Sequence, residues 1–157
     1  MLELFARVPD LLAISDESHL TPIPVDEEVS SLSAILLEGD YYRFLQSGKR
    51  IVGAIPIVGP EHLIPLKARA WLDLTQRRDG GEQIDSRDIK KHRNDVFRLY
   101  AIVDPDFSAE IPQQVKDDLW AFIDQMSEQT IDLNSLGLGS ETLDAVLAEL
   151  RRIYQLD

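Results

Sequence analysis

The sequence predicts an α+β domain that is mostly α: a helical bundle of about four main helices with a small N-terminal β element. Four segments after residue 59 carry apolar side chains at helical spacing, and short loops with Gly or Pro join them. Strand-like patterns occur before residue 59. We therefore distinguish residues 1–58, a strand and loop region with short helices, from residues 59–157, the helical bundle. In a chain of 157 residues we expect the two parts to form one compact domain.

The N-terminal region begins with LELFARV at residues 2–8, where apolar and polar side chains alternate as in a strand. Three prolines predict a loop over residues 9–24. Acidic residues, which suit the positive end of a helix dipole, open a predicted helix over residues 26–37. The segment YYRFLQSG at 41–48 predicts a short helix that ends at glycine. Residues 50–58 are β-branched with an internal proline, which predicts an edge strand or an extended connector.

The four main helices are bounded by recognisable end signals. Pro60 suits a first helical position, and a Gly-Gly pair at 80–81 ends that helix. The next helix begins at Asp85 or Ser86 and is broken after residue 102 by an Asp-Pro pair. The predicted helices cover residues 60–78, 86–102, 109–127 and 140–155.

Composition restricts the class of protein and its compartment. The absence of cysteine excludes disulfides and thiolate metal sites, and it is typical of a reducing cytoplasm. No apolar run has the length of a membrane span, so we expect no membrane association and a cytoplasmic location. With 16 basic residues against 28 acidic ones, the net charge of −12 argues against wholesale coating of nucleic acid. Nucleic acid could still bind to one basic face.

Residues 61–100 form the basic part of this acidic chain. They contain nine Lys and Arg residues against seven Asp and Glu residues, a net charge of +2, which leaves −14 for the remainder. A local reversal of charge indicates a need for positive potential, usually for an anionic ligand. The simpler interpretation is the solvated face of a helix, which is the default for a run of charge. The strong clustering of basic residues favours binding of an anionic ligand over a merely solvated face.

Lys67 interrupts the apolar stripe predicted for the first main helix. That stripe comprises Leu63, Leu66, Ala70, Trp71 and Leu74. A lysine within it must reach solvent, pair with an acid or face a cleft, because an unpaired buried charge is costly. A pair between Lys67 and Asp95 on the next helix and a role in a ligand cleft both remain open, with the pair slightly favoured by spacing alone.

The second main helix carries a line of polar residues on one face. Asp88, His92 and Asp95 are separated by four and three residues, so they lie on one side of the helix. Such a line could bind a metal or transfer protons, although a surface ladder of ion pairs is more common. The three histidines of the chain show no HxH or HxxxH spacing, so a histidine metal site has little support.

The stretches LIPLKARAWLDL and IDSRDIKKHRNDVFRL resemble the C-terminal helical part of nucleotidyltransferases related to the AbiEii toxin family, within the DNA polymerase β superfamily. Lys67 and Ala70 match a helical Lys-x-x-Ala setting of that family. Asp95, Val96, Phe97 and Leu99 match its Asp-aliphatic-aromatic-x-Leu ending. The upstream segments DEEVSSLSAILL and YYRFL are also similar, so the resemblance covers most of the chain.

The resemblance implies transfer of a nucleotide from an NTP to an acceptor hydroxyl, with Mg²⁺ held by carboxylates on a small sheet. In that scheme Lys67 neutralises triphosphate charge, with Arg69, Lys91, His92 and Arg93 as further nucleotide or phosphate contacts and Asp95 in a catalytic role. Glu3, on the first strand, resembles the third carboxylate of the family and is the one candidate metal ligand. Family members carry a Gly-Ser turn and an Asp-x-Asp pair before these helices, and this chain has neither. One carboxylate does not hold two Mg²⁺ ions.

The chain therefore resembles an incomplete, C-terminal part of such an enzyme, inactive alone, whose catalytic half is missing or supplied by another chain. The alternative is a non-catalytic helical module that binds a partner protein, a nucleotide or RNA through its basic 61–100 face. An antitoxin-like or purely structural bundle is a third interpretation. A strand with unpaired edges near the N-terminus also predicts a homo-oligomer.

Overall fold

The computed structural model describes residues 39–108 and 110–156 with their side chains, together with the backbone of the strands Glu3–Arg7 (β1) and Ser33–Leu37 (β2). In this part of the chain the fold is α+β and mostly α, as predicted. The remaining elements, in chain order, are α1 Gly39–Ser47, β3 Lys49–Val52, β4 Ile55–Val58, α2 Pro60–Asp79, α3 Ser86–Tyr100, α4 Gln113–Ser127, a 3₁₀ turn at Asn134–Leu136, and α5 Leu143–Ile153.

Helix α2 is the central element and packs against α1, α3 and α4, while α5 packs on α4. Three aromatic rings join the central helices: Trp71 of α2 meets Phe122 of α4 edge-on at 5.4 Å between ring centroids, and Phe97 of α3 lies 6.5 Å from the same ring. Such geometries are the favoured ones for aromatic pairs. The core is therefore centred where α2, α3 and α4 meet, and buried side chains of α1 and α5 extend it.

The helix boundaries are close to the predicted ones. The predicted ranges 60–78 and 86–102 for the first two main helices compare with Pro60–Asp79 and Ser86–Tyr100 in the structure. The last two begin later than predicted, at Gln113 and Leu143, because Pro112 and a capping Thr142 precede them. Thr142 Oγ1 accepts a hydrogen bond from the backbone N–H of Ala145 at 3.3 Å, a typical N-cap contact.

The predicted helix over residues 26–37 is wrong at its C-terminal end. Residues 33–37 form strand β2, which pairs in parallel with β1 in a register that places Phe5 opposite Ile35. The run Ala34 to Leu37 is continuously apolar, and a short apolar run of this kind does not distinguish a buried strand from a helix. The N-terminal part of that predicted helix lies outside the described residues. The predicted strand at the start of the chain is confirmed as β1.

The segment predicted as an edge strand or connector over 50–58 is a β-hairpin. Strands β3 and β4 are antiparallel and joined by Gly53 and Ala54, and Gly53 has a φ of 65°. A two-residue loop with a positive φ at its first position alone is the II′ type, whose twist suits a hairpin and which favours glycine there.

Burial on α2 is broader than the single stripe predicted. Leu66 and Trp71 are buried as expected, and Ile64 and Ala68 are buried as well. The other predicted members of the stripe, Leu63, Ala70 and Leu74, are half-buried. Because α2 has neighbours on three sides, no single row of the helix faces the core. The predicted stripe is therefore only partly correct.

Pro65 lies inside α2 and removes one helical hydrogen bond. Proline has no N–H, so the carbonyl of Glu61, four residues earlier, lacks its usual donor. Tyr154, at the end of α5, supplies a replacement: its hydroxyl donates to the Glu61 carbonyl at 2.7 Å, with the tyrosine fully buried. Burial raises the pKa of Tyr154, so this hydroxyl keeps its proton and acts as a donor.

A second buried polar contact attaches α1 to the bundle. Asp118 of α4 is 7% exposed, and its carboxylate accepts hydrogen bonds from Tyr41 at 2.7 Å, Arg69 at 3.0 Å and Gln114 at 3.3 Å. One carboxylate therefore connects α1, α2 and α4. Charge-assisted hydrogen bonds of this kind are among the stronger polar contacts in proteins.

Candidate anion-binding pocket

A pocket of about 360 Å³ lies between the C-terminal half of α2, the N-terminal half of α3 and the end of α4. It is open to solvent and mostly polar. Its lining residues are Trp71, Thr75, Arg78 and Asp79 of α2, Ser86, Ile89, Lys90 and Arg93 of α3, Gln125 of α4, and Gln129 just after the end of α4.

The turn after α2 creates this pocket. Gly80 and Gly81 reverse the chain, and Gly81 adopts a φ of 96°, a left-handed conformation that favours glycine. The Gly81 and Glu82 amides donate to the carbonyls of Arg78 and Arg77 at 2.9 and 3.0 Å, which satisfies the end of α2. Helix α3 then runs back along α2, so the positively charged side chains of both helices meet at one end of the pair.

The pocket contains more positive than negative charge. Arg78, Lys90 and Arg93 face a single acid, Asp79, among the lining residues. Arg78 lies 3.1 Å from Asp79, so those two charges largely neutralise each other. Lys90 is exposed and makes no ion pair within the described ranges 39–108 and 110–156. The net lining charge in this acidic protein is therefore +2.

Arg93 is the distinctive residue of the pocket because it is half-buried and hydrogen-bonded to neutral groups. Its guanidinium donates to the side-chain oxygens of Gln129 at 3.1 Å and Asn94 at 3.3 Å, and in the described part of the chain it makes no ion pair. Burial lowers the pKa of Arg93, which reflects the cost of holding this charge away from water. An anion in the pocket would offset that cost.

Two further features of the pocket concern neutral donors. The hydroxyl oxygen of Thr75 is buried and has no hydrogen-bond partner among the described residues. The first turn of α3, in contrast, is already capped: Asp85 accepts from the Arg87 amide at 2.8 Å and pairs with the Arg87 guanidinium at 2.6 Å. The side chains, rather than the start of α3, therefore provide the positive potential for an anion.

Of the predicted phosphate-binding residues, Arg93 lines the pocket from α3. Lys67 lies on α2, on the helix face that lines the pocket, one turn before the lining residue Trp71. Lys67 is half-buried and precedes Trp71 by four residues, about 6 Å along the helix axis. Thr75 and Arg78 continue the same row. The predicted ion pair between Lys67 and Asp95 stays a prediction, and the ion pair found for Asp95 is with Arg98 at 3.4 Å.

The other predicted contacts lie away from the pocket lining. Arg69 pairs with Asp118 at 3.0 Å, which gives it a structural partner. Lys91 is exposed, and His92 is half-buried. Because the pocket row of α3 contains residues 86, 89, 90 and 93, the positions of Lys91 and His92 turn them to other faces.

The structure also adds lining residues that were not predicted. Arg78 and Lys90 belong to the basic segment 61–100, but their roles could not be separated from those of the other cations by charge alone. Gln125 comes from α4 and Gln129 from the residues just after it, and a pair of glutamines carries no sequence signal for a site.

The described residues contain no group of three or more His, Asp or Glu side chains suited to a metal ion. Glu3 lies in β1, where the backbone alone is described, so its predicted role as a metal ligand or third carboxylate falls outside the described side chains.

A second polar cluster, at the start of α2, contains the residue types of a catalytic triad (Ser47, His62 and Glu61) but not the geometry of one. His62 Nδ1 lies 3.4 Å from the Glu61 carboxylate, and Nε2 lies 3.5 Å from Ser47 Oγ. Both distances exceed a good hydrogen bond. The Ser47 hydroxyl instead donates to the Phe44 carbonyl at 2.7 Å, at the C-terminal end of α1, where the helix dipole disfavours an oxyanion. The cluster therefore joins α1 to α2.

Comparisons with family models, with curated proteins and with solved structures found no match for this chain. Within the part of the chain that the structure describes, no helix combines the length and the apolar character needed to cross a membrane.

Proposed function

We propose that the pocket between α2, α3 and α4 binds the phosphate groups of a nucleotide or of RNA. The observation that supports this proposal best is Arg93, a half-buried guanidinium bonded to amide oxygens and to no acid within the described ranges. A phosphate would accept two parallel hydrogen bonds from its fork, the arrangement that arginine favours. Lys90 would add a second positive charge from the preceding turn of α3.

The wider proposal is that the chain is the phosphate-binding helical part of a nucleotidyltransferase-like protein. It is supported by the resemblance of the sequence around Lys67 and Asp95 to AbiEii-related enzymes and by the position of Lys67 on the pocket row of α2. In such a protein the helical part would orient the triphosphate, and Mg²⁺ would be bound by carboxylates elsewhere. We expect the purified chain to transfer no nucleotide by itself, and measurable transfer to RNA or protein would contradict that expectation.

Binding of ATP, measured by titration calorimetry at low ionic strength without Mg²⁺, tests the pocket. Arg93→Gln should weaken binding by about 10- to 100-fold, the effect of losing a charged hydrogen bond. Arg98→Gln is the matched control, because Arg98 is on the same helix, exposed and paired with Asp95. It removes the same net charge from the protein and should leave affinity within about twofold.

Two outcomes would contradict the proposal. Equal weakening by Arg93→Gln and Arg98→Gln would assign any binding to net charge alone, and undetectable binding of both ATP and a single-stranded RNA to the unaltered protein would remove the pocket as a phosphate site. Lys67→Ala tests the extension of the site toward the start of α2. Unchanged affinity in that variant would restrict the site to the pocket lining.

A further inference from the structure

The hairpin formed by β3 and β4 exposes large apolar side chains. Ile51 is 75% exposed, Ile55 66%, Val52 60% and Ile57 43%. Residues directly opposite each other in an antiparallel pair point to the same face, so Val52, Ile55 and Ile57 share one face of the hairpin. A cluster of exposed β-branched residues is typical of a surface that binds another protein.

The pairing register identifies which backbone groups point away from the hairpin. In a hairpin with a two-residue loop, the pair next to the loop is hydrogen-bonded, and such pairs then alternate along the strands. Val52 and Ile55 form that first pair, and the bond from the Gly59 amide to the Gly48 carbonyl at 3.3 Å continues the same alternation. The N–H and C=O groups of Lys49 and Ile51 therefore point outward from β3.

The two outer edges of the hairpin differ in their capacity to pair. On β4 the outward position opposite Ile51 is Pro56, which has no N–H, so that edge is blocked to another strand. On β3, Lys49 and Ile51 each present both an outward N–H and an outward C=O. No backbone hydrogen bond joins them to another element within the described residues. Among the described residues, the hairpin thus has one edge open to a further strand.

The charge of the hairpin is opposite to that of the protein. Residues 48–59 contain Lys49 and Arg50 and no acid, whereas the whole chain has a net charge of −12. Arg50 is held by an ion pair to the buried Glu61, which leaves Lys49 as the cation at the open edge. An acidic strand would complement it.

We propose that the outer edge of β3 binds an extended, acidic segment of a partner protein as an added β-strand. Main-chain hydrogen bonds to Lys49 and Ile51 would give affinity, and the exposed apolar side chains would contact alternate residues of the added strand. An acid opposite Lys49 would set its register. A second copy of the chain is disfavoured at this edge, because symmetric pairing brings two Lys49 side chains together.

Two synthetic ten-residue peptides test the inference with the full chain. One alternates Glu with Val and the other alternates Lys with Val, so the two share β-propensity and differ in charge. In NMR titrations at low salt, the Glu peptide should bind and shift the amide signals of Lys49 and Ile51. The Lys peptide should bind about tenfold more weakly or not at all.

Variants separate the edge from charge alone. Ile51→Pro removes the outward N–H without removing a β3–β4 hydrogen bond, and it should weaken the Glu peptide about tenfold. Ile51→Ala keeps the N–H and should weaken it less. Lys49→Glu should reverse the preference between the two peptides while leaving the hairpin signals in place, so it remains informative if Ile51→Pro alters the hairpin.

Three results would overturn the inference. These are equal binding of the two peptides, Glu-peptide shifts confined to residues outside β3, and unchanged Glu-peptide affinity in both Ile51→Pro and Lys49→Glu. A concentration-dependent dimer that excludes the peptide, detected by sedimentation, would assign the edge to a second copy instead. Preferential binding of single-stranded RNA at Lys49 would assign it to nucleic acid.

Discussion

The hydrogen bond from Tyr154 to the Glu61 carbonyl should be coupled to the proline at position 65. Removing the hydroxyl in Tyr154→Phe leaves a buried carbonyl without a donor, because Pro65 has no N–H to supply. An unsatisfied buried acceptor costs about 1–3 kcal/mol. With a central value of about 2 kcal/mol, the melting temperature of a domain of this size should fall by about 4–8 °C.

Pro65→Ala provides the matched background. An alanine at position 65 has an N–H that can donate to the Glu61 carbonyl in the ordinary helical pattern. In that background Tyr154→Phe removes a hydrogen bond without leaving the carbonyl unpaired, so its cost should fall to about 1 kcal/mol or less. The double-mutant cycle should therefore give a coupling free energy of about 1 kcal/mol between two residues far apart in sequence.

Urea denaturation followed by circular dichroism measures all four free energies of unfolding. The slopes of the transitions should stay equal, so that differences in midpoint report stability. If Tyr154→Phe has the same cost in the unaltered protein and in the Pro65→Ala background, the tyrosine does not replace the missing helical donor and the reasoning is refuted.

Three further predictions concern the polar and steric contacts of the fold. Asp118→Ala removes a buried acceptor of three hydrogen bonds and should lower the free energy of unfolding by about 2–4 kcal/mol. Asp117→Ala, at the exposed neighbouring residue, should change it by about 0.5 kcal/mol or less. Equal effects of the two variants in urea titrations would contradict this prediction. Burial, and then the charge of a nearby arginine, lower the pKa of His62 from 6.5, so the unfolded chain binds the proton more readily and stability is lost as the pH falls below 6.5. His62→Gln should remove this contribution to the pH dependence of the free energy of unfolding, which is at most about 1.4 kcal/mol per pH unit. An unchanged pH dependence between pH 7 and 5 would refute the assignment. A Cβ at Gly48 would lie 2.1 Å from the His62 ring, so Gly48→Ala should cost about 1–3 kcal/mol, while Gly39→Ala, with its nearest neighbour at 3.6 Å, should be close to neutral in thermal melts.

Most of the helical architecture could be predicted from the sequence, because its signals are local. Pro60, the glycine pair at 80–81 and the capping Asp85 mark helix ends through their own backbone preferences, and the structure places ends there. Strand β2 could not be predicted in the same way, because its pairing with β1 joins residues about thirty apart, and a short apolar run carries no information about such a partner.

The candidate site could be predicted less completely than the fold. The excess of basic residues at 61–100 falls on α2 and α3, and Arg93 lines the pocket between them. Helical spacing cannot assign each cation to a face until the neighbours of the helix are known. Arg69, for example, is held by Asp118 of α4, a residue 49 positions away.

The two buried tyrosine contacts also bear on how fast the protein folds and unfolds. Tyr41 and Asp118 are separated by 77 residues, and Glu61 and Tyr154 by 93, so each contact closes a long loop. Long loops close late, and contacts that form after the transition state affect the unfolding rate rather than the folding rate. Variants at these tyrosines should therefore shorten the lifetime of the native state in stopped-flow unfolding while refolding proceeds at an unchanged rate.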